Sequence, residues 1–365
     1  MPRRIRADRT LFAVVVILTV AGVVMVGSAS SYYSLSRTGM TVSSQFLLRQ
    51  IVYAAAGLLL LYRLMKIDYH RFGERRVALG LVAATIVLLL VPFLCGARNG
   101  THRWIPLGFF SLQPSELAKF ALAVFLAYMI ERKGDRINVP SVGTIPSLAV
   151  ACVLAGLVFL EPDLGTAIVL LLVAFALLFL AGLSWRYVAT AGGVALLALP
   201  VLVFSASYRA RRLLAFLHPE QDLRGPNFQL LQSKVALGSG GVLGSGLALG
   251  QQKWLFLPES HTDFIFSVIG EELGLIGTMA ILVLFAVLFW RGVRTSLRAP
   301  DRFGGFLALG ITLFLVCQAL VNMGVATGLL PTKGMPLPYV SYGGSSLLVS
   351  LGMTGVLLNV SQQAG

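Results

Sequence analysis

Apolar residues in this chain do not alternate with polar ones. They come in long runs separated by short polar segments, at 11–29, 51–64, 77–94, 117–130, 145–160, 166–181, 187–204, 264–290, 303–321 and 345–360. A helix needs about 17–25 residues to cross the hydrocarbon core of a bilayer, and most of these runs approach that length. The pattern therefore predicts an all-α polytopic membrane protein of about ten transmembrane helices. The runs that open at Ile51 and Leu117 are the short ones. No fixed-period repeat, low-complexity tract or soluble-domain pattern interrupts the series, so residues 1–365 are expected to form one membrane domain. The widest gap, 205–262, lies between the seventh and eighth runs.

Composition agrees with lipid as the main solvent: 57% of residues are hydrophobic and 12% charged, with a mean hydropathy of +0.84. The formal charge of +14 would suggest nucleic acid in a soluble protein, but here its distribution matters more than its sum. With a cytoplasmic N-terminus, Arg3, Arg4, Arg6, Arg9, Arg63, Lys66, Arg71, Arg75, Arg76, Arg132, Lys133, Arg136, Arg186, Arg291, Arg294, Arg298 and Arg302 fall on the cytoplasmic side. The short outer loops hold only Arg37, Arg49, Arg98, Arg103 and Lys333. That is the positive-inside bias, and it puts both termini in the cytoplasm. The basic N-terminus with its apolar run resembles a signal peptide, but the runs behind it favour a first membrane helix.

Parity then places 205–262 outside, where Arg209, Arg211, Arg212, Arg224, Lys234 and Lys253 make a basic surface. Such a surface suits an anionic headgroup, or reflects ordinary solvation beside the membrane. Within it, 238–246 holds five glycines in nine residues, a spacing that lets backbone approach a phosphate or sugar closely. No Gly-Lys-Ser or Gly-Lys-Thr follows, so it is not a P-loop. Cys95, Cys152 and Cys317 lack metal or disulfide spacing and read as small apolar side chains.

Chemistry is most visible where charge meets apolar surroundings, because an ionisable group at mid-bilayer costs roughly 2.5–3.5 kcal/mol. In Gln113-Pro114-Ser115-Glu116-Leu117-Ala118-Lys119, Glu116 and Lys119 share a helix face and predict a buried ion pair, either bracing helices or touching substrate. In Glu161-Pro162-Asp163-Leu164-Gly165-Thr166, two carboxylates at a tight outer turn are placed to bind a cation, to pair with Lys119 or Arg103, or, for Asp163, to cap the next helix. The segment Leu257-Pro258-Glu259-Ser260-His261-Thr262-Asp263-Phe264 ends the long outer loop and puts Asp263 at the membrane surface, as a helix cap or a reactive carboxylate. Hydrolytic glycosidases usually need two carboxyl groups. Transfer from a pyrophosphate donor needs cations for the leaving group and one base for the acceptor hydroxyl. One carboxylate among outer Arg and Lys fits that second reaction. No Ser-His-Asp set, CxxC pair or HExxH motif occurs, and His70, His102, His218 and His261 are dispersed.

With Phe46-Leu47-Leu48-Arg49-Gln50, Arg103-Trp104-Ile105 and Pro338-Tyr339-Val340-Ser341-Tyr342-Gly343-Gly344-Ser345-Ser346, these motifs make nearly the whole chain resemble the SEDS family of bacterial cell-shape and division membrane proteins. The resemblance implies a peptidoglycan glycosyltransferase that polymerises lipid II outside the cytoplasmic membrane, beside a class B penicillin-binding protein of the FtsI transpeptidase type and other divisome membrane proteins. It implies Asp263 as the catalytic base, Arg49, Arg103, Glu116, Lys119, Lys253 and Lys333 as substrate-binding residues, and Glu161, Asp163 and His261 as supporting ones. Undecaprenyl pyrophosphate would leave with inversion, steadied by Arg, Lys and, where one binds, a divalent cation, Mg or Mn. No organic cofactor and no nucleic-acid partner are expected. Residues 330–334 and 236–241 resemble the division branch of the family more than the elongation branch. A lipid II flippase and a divisome scaffold remain as alternatives from other classes.

Overall fold

A computed structural model describes residues 7–37, 41–94, 103–108, 110–217, 226–252 and 259–364. The helices are α1 (Arg9–Arg37), α2 (Thr41–Leu64), α3 (His70–Gly73), α4 (Arg75–Leu94), α5 (Pro114–Lys133), α6 (Ile145–Leu160), α7 (Leu164–Leu180), α8 (Trp185–Phe204), α9 (Ser207–Leu217), α10 (Pro226–Ser239), α11 (Ile265–Arg298), α12 (Arg302–Ala326) and α13 (Gly344–Gln363). Among the described residues, α1, α2, α4, α6, α8, α11, α12 and α13 are long and apolar enough to cross a membrane. Two further helices occupy the remaining apolar runs. α7 has 17 residues, and α5 is too polar by composition because it carries Glu116, Lys119, Glu131, Arg132 and Lys133. The run at Ile51 belongs to a helix of 24 residues that begins ten positions earlier, at Thr41, so its shortness was a matter of composition and not of geometry.

Local signals set the helix ends. Pro114 opens α5 at a position where its missing N–H costs nothing. Asp163 caps α7, accepting from the Thr166 N–H at 3.1 Å. Asp301 caps α12 through the Gly304 N–H at 2.8 Å, and Pro300 follows the end of α11. α2 packs on α1 and α13, and α12 packs on α5, α11 and α13. α8 lies at the rim, with no described residue buried. A two-stranded hairpin, β1 (Ile105–Leu107) and β2 (Phe110–Leu112), precedes α5; three-residue strands are too short to register as alternation in sequence.

The termini meet at one end of the bundle. The Asp8 N–H donates to Ser361 Oγ at 3.2 Å, while the Asp8 carboxylate pairs with Arg291 at 2.5 Å. The hairpin and the turns at 161–163, 259–264 and 331–343 lie at the opposite end.

The described part of the predicted long loop contains two helices, α9 and α10, and its glycine-rich stretch packs backbone to backbone on α11. α11 breaks at Gly274 (φ 66°, ψ −161°), roughly 14 Å from its start at 1.5 Å per residue. At such depth each freed backbone group needs a protein partner. Leu275 N–H donates to Gly241 O at 2.9 Å, and Ser245 and Gly246 N–H donate to the Glu271 and Glu272 carbonyls at 2.9 and 3.0 Å. The Glu271 carboxylate accepts from Gln251 and Gln252 N–H at 2.6 and 3.0 Å. Glu272 accepts from Ala248 N–H at 3.0 Å and from Ser28 of α1 at 2.6 Å. A Cβ at Gly274 would strike the Val242 carbonyl in a left-handed backbone conformation, whereas one at Gly80 would meet nothing. Gly274→Ala is therefore expected to destabilise the protein by about 1–3 kcal/mol, read as a lowered thermal midpoint in detergent, with Gly80→Ala close to wild type.

Candidate active site

Connections far apart in sequence enclose one cavity of about 350 Å3 at the hairpin end of the bundle. Its walls are Arg103, Pro162, Arg212, Gln229, Glu259, Asp263, Phe264, Thr332, Lys333 and Gly334. Each comes from a helix end or connection, except Arg212 and Gln229 of α9 and α10. Cations from three separate elements, Arg103, Arg212 and Lys333, therefore share a space with the carboxylates of Glu259 and Asp263.

Asp263 sits in the tight turn before α11. The Glu259 carbonyl accepts the N–H groups of Thr262, Asp263 and Phe264 at 3.2, 3.1 and 3.3 Å. Glu259 itself holds φ 54°, a left-handed conformation that costs on the order of 1–3 kcal/mol outside glycine. Asp263 is half-buried and lines the cavity. Gly334 packs so close that a side chain there would collide with the Asp263 carboxylate. Burial first, and then the Glu259 charge, push the Asp263 carboxyl up to about 7, against the opposing pull of Arg103, Lys333 and Arg212. A carboxyl so placed is a stronger base than an ordinary aspartate.

The Glu161-Pro162-Asp163 turn resolves differently from either pairing expected for it. Asp163 binds Lys333 at 2.6 Å, and Thr166 Oγ1 donates to it at 2.9 Å. Burial alone would raise Asp163, but Lys333 and Arg103 outweigh it and hold the carboxyl at about 2. Burial in turn lowers Lys333, with Asp163 opposing. Arg103 meets backbone and not carboxylate: its Nε donates to the Glu161 carbonyl at 2.8 Å, and its terminal nitrogen donates to the Pro162 carbonyl. Lys119 does not reach this turn at all.

Glu161 is fully buried, and neither carboxyl oxygen accepts a hydrogen bond from the described residues. Burial, with the Asp163 charge adding, pushes Glu161 up to about 8, Arg103 offsetting in part. Its carboxyl is thus mostly neutral at pH 7.

Several expected site residues lie elsewhere. Glu116 and Lys119 form the predicted ion pair, 2.7 Å apart and buried within the bundle, but they do not line the cavity; Lys119 also donates to Gln318 of α12. Arg49 is exposed on α2 beside Tyr53, away from the cavity walls. His261 is buried with its ring 5.2 Å from Phe46 and 5.7 Å from Tyr342; burial lowers its pKa. Lys253 lies outside the described residues, as do Arg224, Cys95, His102 and His218. Arg212, Gln229, Glu259 and Thr332 were not singled out as site residues from sequence. Only a tertiary contact could have distinguished Arg212 from its neighbours Arg209 and Arg211.

A bundle of membrane-length helices that gathers, among the described residues, one basic carboxylate and three cations at one end defines a polytopic membrane protein with an enzyme-like polar site. A family model described as "Cell cycle protein", FTSW_RODA_SPOVE, matches residues 8–365. The chain is 46% identical over 355 residues to the "Probable peptidoglycan glycosyltransferase FtsW" of Trichlorobacter lovleyi, covering 97% of this chain and 93% of that one. It is 39% identical over 356 residues to "Stage V sporulation protein E" of Bacillus subtilis, covering 97% of each. A chain from the structure titled "Structural coordination of polymerization and crosslinking by a peptidoglycan synthase complex" superimposes with a TM-score of 0.79 at 31% identity, over 97% of both chains. Thermus thermophilus Rod shape determining protein RodA gives 0.71 at 30% identity, over 98% of this chain and 97% of that one. The chain belongs to the FtsW/RodA/SpoVE family and is a multi-pass membrane protein.

The Glu161 pKa has a stability consequence. A folded-state value raised to about 8 from the ordinary 4.5 means the stability associated with the neutral carboxyl is fully present below pH 4.5 and is lost as pH rises through 8. Glu161→Gln should therefore raise the thermal midpoint in detergent at pH 8 and leave it near wild type at pH 5.

Proposed function

We propose that this chain is an FtsW-type peptidoglycan glycosyltransferase that polymerises lipid II for septal wall synthesis. The reading is supported by family membership, and the observation that carries it chemically is Asp263, a carboxylate of raised basicity facing Arg103, Arg212 and Lys333 across one cavity. The whole chain acts as one membrane domain in the bacterial cytoplasmic membrane, with both termini inside and the cavity outside, in keeping with its basic-residue distribution.

The acceptor sugar hydroxyl approaches Asp263, which takes its proton as that oxygen bonds to the anomeric carbon of the growing glycan. The bond from that carbon to the pyrophosphate oxygen breaks, its electron pair passing to the departing undecaprenyl pyrophosphate. Arg103, Arg212 and Lys333 stabilise the negative charge there, in a site shielded from bulk water. A single displacement inverts the anomeric carbon. Among the described residues no three His, Cys, Asp or Glu are grouped to hold a metal. The two carboxylates of the cavity face three cations that compete with a divalent ion, so no step is routed through one. A class B penicillin-binding protein is the proposed partner, in line with the peptidoglycan synthase complex that this chain resembles.

Lipid II polymerisation by the purified protein with its penicillin-binding partner tests this. Wild type should make glycan strands, Asp263→Asn should make none, and a transpeptidase-dead partner should leave strand formation intact. Equal strands from wild type and variant would remove Asp263 from the mechanism; no strands from either, with the complex intact, would favour transport or scaffolding. Because the base must be ionised, the wild-type rate should fall about tenfold per unit as pH drops below about 7.

A further inference from the structure

Three consecutive backbone carbonyls, those of His261, Thr262 and Asp263, lead into α11, and each is taken by a donor from another part of the chain. Tyr342 N–H donates to the His261 carbonyl at 2.9 Å. Ser341 Oγ donates to the Thr262 carbonyl at 2.6 Å. Asn322 Nδ2, from α12, donates to the Asp263 carbonyl at 2.8 Å. The hydrogens are accounted for. Ser341 Oγ accepts from Leu337 N–H at 2.7 Å, which leaves its own hydrogen for Thr262. Asn322 gives its second amide hydrogen to the Met335 carbonyl at 2.7 Å, so its orientation is fixed by two acceptors.

One helical turn away on α12, Gln318 Nε2 donates to the Pro336 carbonyl at 2.8 Å, and its oxygen accepts from Lys119. The ion pair of Glu116 and Lys119 thus reaches, through Gln318, the strip of chain that carries Lys333 and Gly334 to the cavity. Ser341, Asn322 and Gln318 are all buried, and their donors meet carbonyls that would otherwise lack partners in a place water reaches poorly.

We propose that Asn322 and Ser341 are positioning residues for the glycosyl transfer: they fix the turn that presents Asp263 and tie it to the 331–336 segment bearing Lys333, so that base and cation keep one spacing. This rests on the reading of Asp263 as the base. The arrangement gives a role to the Pro338-Tyr339-Val340-Ser341-Tyr342 motif, which lines no part of the cavity. It also links the Glu116–Lys119 pair, which does not line the cavity, to the 331–336 segment through Gln318.

The test is steady-state lipid II polymerisation by the purified complex across pH for wild type, Ser341→Ala, Asn322→Ala and Asp263→Asn, with thermal midpoints recorded for each. Ser341→Ala deletes one hydroxyl and is the variant least able to disturb folding. Among the described residues, the charged and titratable groups facing Asp263 are Glu259 on its own turn, Arg103 ahead of β1, Arg212 on α9 and Lys333 between α12 and α13; His261 faces the Phe46 and Tyr342 rings. All remain in these variants, so a moved pH limb reports the placement and hydration of Asp263. Loss of either clamp should lower kcat by about tenfold to a hundredfold, keep KM within about threefold, and move the acid limb of the rate down by about one unit as water reaches the carboxyl. A lower kcat with an unmoved limb, or no change in kcat, overturns the positioning role even if the variants melt earlier. Asp263→Asn turning over like wild type would instead overturn the base reading, and the positioning role with it.

Discussion

Polar groups held away from water must find partners inside the protein, and in a membrane the cost of failing to do so is several kcal/mol for each group. Much of this molecule is arranged around that constraint. The break in α11 at Gly274 persists because a glycine-rich stretch and two glutamates take up the backbone groups it frees. The turn before α11 leaves three carbonyls pointing away from regular structure, and Asn322, Ser341 and Tyr342 take them. Both ends of the first third of α11 are thus held by polar contacts from segments distant in sequence, and Asp263 stands at the head of that stretch.

The same constraint shapes the electrostatics of the cavity. A carboxylate is costly to bury alone, and a close lysine offsets part of that cost and keeps it ionised; the two neighbouring acids show both situations. Asp163 has Lys333 at 2.6 Å and stays ionised. Among the described residues no cation lies as close to Asp263; its positive neighbours act from farther off while Glu259 opposes them, which leaves a carboxylate that holds a proton more readily. By engaging Asp163, Lys333 ties the 331–336 segment to the 161–163 turn, so one ion pair both braces the cavity and keeps a cation in its wall.

The spans were legible in sequence because each is a run of apolar residues with helix-compatible length, and Asp163 caps α7 as one reading of its turn allowed. The ion pair of Glu116 and Lys119 was legible from its spacing of three. Its distance from the cavity was not, because which way a helix face points is decided by packing against α12. Asn322 lies one residue beyond the apolar run that ends at 321, where an amide looks like the onset of a loop. Its role depends on two carbonyls, of Asp263 and Met335, that no local pattern brings together. Pairing of Asp163 with Lys333 across 170 positions was beyond reach for the same reason.

As the proposed base, Asp263 acts in the chemical step and not in holding the substrate. The most direct measurement separates the two: lipid II binding and single-turnover glycosyl transfer, both followed on the purified complex for wild type and Asp263→Asn. Asp263→Asn should bind lipid II within a few-fold of wild type and transfer at a rate lower by a factor of at least about 100. Transfer at the wild-type rate, or a loss explained wholly by weakened binding, would contradict it.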